Sequence, residues 1–96
     1  MASWGDVETY NDMISDLQTF CTELGNACGV MLTAANTCSQ IMEGDIASLK
    51  ACKNVALSCK KYEEAAELAQ KLMQALAQER DDIIEYLRSL EELEDE

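Results

Sequence analysis

Residues 38–55 read Cys38-Ser39-Gln40-Ile41-Met42-Glu43-Gly44-Asp45-Ile46-Ala47-Ser48-Leu49-Lys50-Ala51-Cys52-Lys53-Asn54-Val55. The pair Gly44-Asp45 interrupts an otherwise helical pattern. Glycine just past a helix end suits the left-handed C′ position, and aspartate beside it suits an N-cap that accepts orphan backbone N–H groups. A turn is therefore expected at Met42, Gly44 and Asp45, with the break itself at 44–45.

Working outward, both flanks carry one period. Upstream, Val7, Tyr10, Ile14, Leu17, Cys21, Leu24, Cys28, Met31, Ala35, Cys38 and Met42 alternate steps of three and four. Downstream, Cys52, Val55, Cys59, Tyr62, Ala66, Ala69, Met73, Leu76, Arg80, Ile83, Leu87 and Leu90 do the same, with Arg80 off-type. These are heptad seams. Leu57, Ala65, Leu68, Leu72, Ile84 and Leu93 widen the second stripe, as in a helix contacted on more than one side. The expected fold is all-α: an antiparallel two-helix hairpin forming a single domain over residues 1–96. Its first helix runs over about 6–43 and its second over about 46–93, with an acidic C-terminal tail over 91–96. Two helices alone bury one stripe each, so a dimer of hairpins closing a four-helix bundle is expected, with itself or with a similar hairpin.

Composition supports a helical reading. Proline is absent, glycine numbers four and aromatics make up 5% of the chain, which disfavours turn-rich β folds. The net charge of −12 disfavours nucleic-acid binding through phosphate neutralisation, and docking onto anionic membranes. No basic n-region with an apolar run precedes the first helix, since no Lys or Arg occurs before Lys50. The uncharged stretch Leu24–Met42 has the length of a membrane span, but its Asn, Thr, Ser and Gln side chains would each need a partner in lipid. No membrane insertion is expected. Gly25 and Gly29 share a face, where small residues would allow a close helix approach.

The five cysteines are accompanied by no histidine. Cys21, Cys28, Cys52 and Cys59 share one phase of the seam, where a thiol packs as a small apolar group. Folding the chain at 44–45 also brings Cys28 opposite Cys59 and Cys38 opposite Cys52, so two nested cross-hairpin disulfides are open to it. Cys21 would be left over, which fits a reduced, cytoplasmic compartment better than a secreted staple. Zinc would need both arms, since cysteines two turns apart on one helix cannot share a tetrahedral ion. Pairs such as Glu64 and Glu67 lack the histidines of a di-iron bundle. No catalytic motif occurs, so neither an enzyme nor a cofactor is expected.

The acids are unevenly placed. The first helix carries acids only, Lys50, Lys53, Lys60 and Lys61 gather near the turn, and the chain from Glu79 is acidic again. Asp81, Asp82, Glu85, Glu91 and Glu92 form an acidic surface. It serves solubility, or it occupies a basic groove as a nucleic-acid mimic does.

A helical hairpin of this length, with Met42, Glu43 and Gly44 at its turn and Ala47 and Leu49 beyond, resembles the WXG100 (ESAT-6-like) family. Its tryptophan at the turn is replaced here by Met42. Its Tyr-x-x-x-Asp/Glu signal has no match, since Ala66 follows Tyr62 and Leu90 follows Tyr86 at that spacing. The resemblance implies a non-enzymatic interaction module, a type VII secretion substrate or its escort, exported without a cleavable signal peptide. Its working residues would be the seam (Ile14, Leu17, Leu24, Cys28, Met31, Met42, Val55, Tyr62, Met73, Leu76, Ile83 and Leu87), the turn and the tail. The composition is also similar to that of small helical prophage proteins. The alternative expectations are therefore a mobile-element inhibitor of a host nucleic-acid-binding defence protein, or a phage scaffold component.

Overall fold

A computed structural model describes residues 1–41 and 44–94. The fold is an all-α helical hairpin of two helices, α1 (Trp4–Ile41) and α2 (Ile46–Glu94). The expected positions Met42 and Glu43, and the last two tail acids, lie outside the described residues.

Each helix has an identifiable start. The Ser3 hydroxyl accepts from the Asp6 backbone N–H at 3.3 Å, and the Asp6 carboxylate accepts from the Ser3 backbone N–H at 2.8 Å. This reciprocal capping box opens α1 at Trp4, earlier than the expected residue 6. At α2 the Asp45 carboxylate accepts from the Ala47 N–H at 3.0 Å and from the Ser48 hydroxyl at 3.1 Å. Before it, Gly44 has φ 86°, the left-handed conformation that glycine adopts without a Cβ penalty. α1 continues unbroken through Gly25-Asn26.

The chain divides into two compact units: Met1–Thr19 with the chain from Ala69 on, and Phe20–Leu68. In the first, Val7, Ala69 and Leu87 are buried, and Tyr10, Ile14, Leu17, Met73, Leu76, Ile83 and Ile84 are half-buried. Arg80, the off-type seam residue, is accommodated by polar partners. Its guanidinium donates to Asn11 Oδ1 at 3.0 Å and pairs with Asp81 at 3.1 Å. Trp4 Nε1 donates to Glu91 at 3.1 Å, and the Tyr10 hydroxyl donates to Glu79 at 2.7 Å.

In the second unit Cys59 is the buried residue, with Cys21, Leu24, Cys28, Met31, Ala35, Cys52, Val55, Ala65 and Ala66 half-buried around it. The cysteines and alanines among these are small, and the thiols reach opposing main-chain oxygens.

Candidate functional site

Four thiol contacts form three rungs that step along the second unit at heptad spacing. Cys21 Sγ donates to the Ala66 carbonyl oxygen at 3.8 Å. Cys28 Sγ donates to the Cys59 oxygen at 3.8 Å, and Cys59 Sγ donates back to the Cys28 oxygen at 3.8 Å. Cys52 Sγ donates to the Ala35 oxygen at 3.2 Å. Each outer rung sets a cysteine against an alanine, and the middle rung sets cysteine against cysteine. Burial raises the Cys28 thiol pKa above its ordinary value, followed by the hydrogen bond and charge of the adjacent Cys59 thiol and the charge of Glu63.

The pairing of Cys38 with Cys52 that the sequence left open does not fit this register. Cys52 lies on Ala35, and Cys38 is exposed while Ser39 takes the inward place. All five thiols are free. The rungs step by seven on both helices, so Cys52 falls on Ala35, and Cys38 lies almost a turn beyond that rung.

The expected role of Gly25 and Gly29 is also corrected. A Cβ at either would meet nothing within 4 Å, so neither glycine marks a close approach of α1 to α2. Both instead border a half-open apolar groove of about 350 Å³, lined also by Cys21, Leu24, Cys28 and Tyr62. The Thr33 and Thr37 hydroxyls nearby donate to the Gly29 and Thr33 carbonyls at 2.8 and 3.0 Å, so the backbone of α1 satisfies them.

Most of the described seam residues pack inside the hairpin. Ile14, Leu17, Leu24, Cys28, Met31, Val55, Met73, Leu76 and Ile83 are half-buried, Leu87 is buried and Tyr62 is exposed. The most exposed apolar side chains lie off the seam. In the second unit they include Val30 (71% exposed), Leu57 (53%) and Leu68 (67%). Sequence reasoning placed Leu57 and Leu68 in a widened stripe but passed over Val30. Its signal was available: an aliphatic residue off the seam phase in an uncharged stretch.

The acidic residues Asp81, Asp82, Glu85, Glu91 and Glu92 are all exposed. Three have internal partners: Asp81 with Arg80, Asp82 with the Gln78 amide at 3.0 Å, and Glu91 with Trp4. Among the described residues, no group of His, Cys, Asp and Glu comes together to hold a metal ion, and no helix is long and apolar enough to cross a membrane.

Comparison with known proteins gives one family. The profile described as major surface glycoprotein matches residues 32–93, more than half of the chain. The resemblance to WXG100 proteins is thereby corrected, and the type VII export expected from it loses its basis. The turn glycine and hairpin length that carried that resemblance are general to short helical hairpins. No curated protein and no solved structure matches the chain.

Proposed function

The chain belongs to the major surface glycoprotein family, and on that premise we propose that it is a non-catalytic helical interaction module of a surface protein. It docks through apolar side chains that the hairpin leaves uncovered, and its partner is another helical hairpin, a second copy included. The observation that carries this reading is the second unit's imbalance. Among its described residues only Cys59 is buried, while Val30, Leu57 and Leu68 stand more than half exposed. Burying an aliphatic side chain from full exposure is worth roughly 1.5–3 kcal/mol, and these three have more than half of that still to gain, so a covering helix would stabilise them.

Charge supports a neutral docking face on α1. From Leu24 to Ile41 the helix carries no ionisable carboxylate or amine, so a partner helix can approach without desolvating an ion. Glycans would not stand in the way at ordinary acceptors. None of Asn11, Asn26, Asn36 and Asn54 has Ser or Thr two residues on, the pattern that N-glycosylation needs.

Sedimentation equilibrium of the full chain at micromolar concentration tests the proposal. The expected result is a reversible self-associating species that Leu57→Glu combined with Leu68→Glu converts to monomer with unchanged helix content. A wild-type chain that stays monomeric, and takes up no like hairpin when mixed with one, overturns it.

A further inference from the structure

We propose that Cys28 and Cys59 form a redox-active pair that closes into a cross-hairpin disulfide when the chain meets a small-molecule disulfide. The inference goes beyond the docking reading and does not rest on it.

The register singles this pair out. Each of the two sulfurs lies 3.8 Å from the other residue's carbonyl oxygen, so both side chains cross the same narrow gap from opposite sides. The neighbouring rungs cannot react likewise, because Cys21 faces Ala66 and Cys52 faces Ala35. Cysteines seven apart on one helix are about 10 Å apart along its axis, beyond the reach of a disulfide. Cys38 is exposed and is not part of the ladder. The middle rung is thus the place where one disulfide fits without moving the helices along each other.

Access and order of reaction follow from burial. Cys59 is 3% exposed, whereas Cys28 borders the half-open groove whose rim is made by Gly25 and Gly29. The absence of side chains at both glycines keeps that flank open. Cys28 is the first attacker. Its thiolate displaces one thiolate from an oxidised glutathione molecule, and the leaving sulfur takes the proton that Cys28 lost. A mixed disulfide at Cys28 results. The Cys59 thiolate then attacks the Cys28 sulfur, expels the second glutathione thiolate, and passes its proton to that group through solvent. Two protein thiols are oxidised, one glutathione disulfide is reduced to two thiols, and no proton is gained or lost overall. Because burial holds the Cys28 thiol protonated beyond the ordinary range, the first step speeds up with rising pH.

The test equilibrates the full chain with oxidised and reduced glutathione, blocks the remaining thiols by alkylation, and maps the linked peptides after tryptic and Glu-specific cleavage. The expected product is a monomer lighter by two hydrogens before alkylation, with Cys28 joined to Cys59 and with Cys21, Cys38 and Cys52 alkylated. Closure of the loop should raise the thermal midpoint by at least about 10 °C, and Cys28→Ala or Cys59→Ala should abolish that rise. Alanine already occupies the neighbouring rungs, so it fits the gap. Five alkylated thiols after equilibration, a Cys38–Cys52 link, or a thermal rise that survives either substitution would overturn the proposal. The map on the unsubstituted chain decides the matter even if a variant fails to fold.

Discussion

The thiol of Cys52 donates to the carbonyl oxygen of Ala35 at 3.2 Å, while Cys38, three residues further along α1, faces solvent. This contact sets the register of the second unit, because the Cys28–Cys59 and Cys21–Ala66 rungs repeat it at steps of seven on both helices. It also decides which small side chain is a packing residue and which is free to vary.

Ala35→Leu should therefore overpack the rung and cost about 1–3 kcal/mol. Cys38→Ala should stay within about 0.5 kcal/mol of the parent, as exposed substitutions generally do. Urea denaturation followed by helical circular dichroism reads both. A larger loss at Cys38 than at Ala35 would contradict the register.

Gly25→Ala and Gly29→Ala should each stabilise the isolated hairpin by about 0.5–1 kcal/mol. Glycine in a helix interior is that much worse than alanine, and a Cβ at either position meets open space. Thermal unfolding at a dilution where the chain is monomeric measures this. A destabilised Gly29→Ala chain would show that another helix approaches that face closely.

Gly44→Ala should behave in the opposite way although its surroundings are just as open. Its φ of 86° belongs to the left-handed region, where a Cβ costs roughly 1–2 kcal/mol. Asp45→Ala should cost about 1 kcal/mol by leaving the Ala47 N–H without its cap. Denaturation midpoints of the two single variants check the pair, and an unchanged midpoint for Gly44→Ala would be incompatible with the turn.

Stability should fall as the solution becomes alkaline. The Tyr10 pKa is raised first by its hydrogen bond to Glu79, then by burial and by the charges of Glu79 and Asp6. The Cys28 pKa is raised by burial first. Both groups stay protonated in the folded chain at a pH where the unfolded chain releases the proton. Their contributions are thus fully present below the unfolded pKa values, about 8.5 for cysteine and about 10 for tyrosine. They are lost as pH climbs through the raised folded values. Tyr10→Phe should flatten the upper part of the decline and leave the lower part, and Cys28→Ala should do the reverse. A midpoint independent of pH across this window would show that neither group is perturbed by folding.

Much of the fold was legible in the residues. Apolar side chains at alternating steps of three and four leave little choice but two helices, and Gly44-Asp45 marks where one ends and the next begins. Those signals are local, because they depend on helical periodicity and on backbone conformation at a few positions. The Ser3-Trp4-Gly5-Asp6 capping box was equally local and was passed over in favour of the first seam residue. The family was not legible at this level, since hairpin length and a turn glycine occur in unrelated helical proteins.

The pairing across the gap belongs to the tertiary structure. Seam phase assigned inward positions to Cys38 and Ala35 alike, and the axial register of the two helices set Ala35 against Cys52. The same holds for Gly25 and Gly29, whose spacing said that they share a face but not that the face is open. Periodicity specifies which residues lie together on a helix. The helices' rotation and axial offset specify what each residue meets, and those are set by how side chains of unequal size pack along the whole contact.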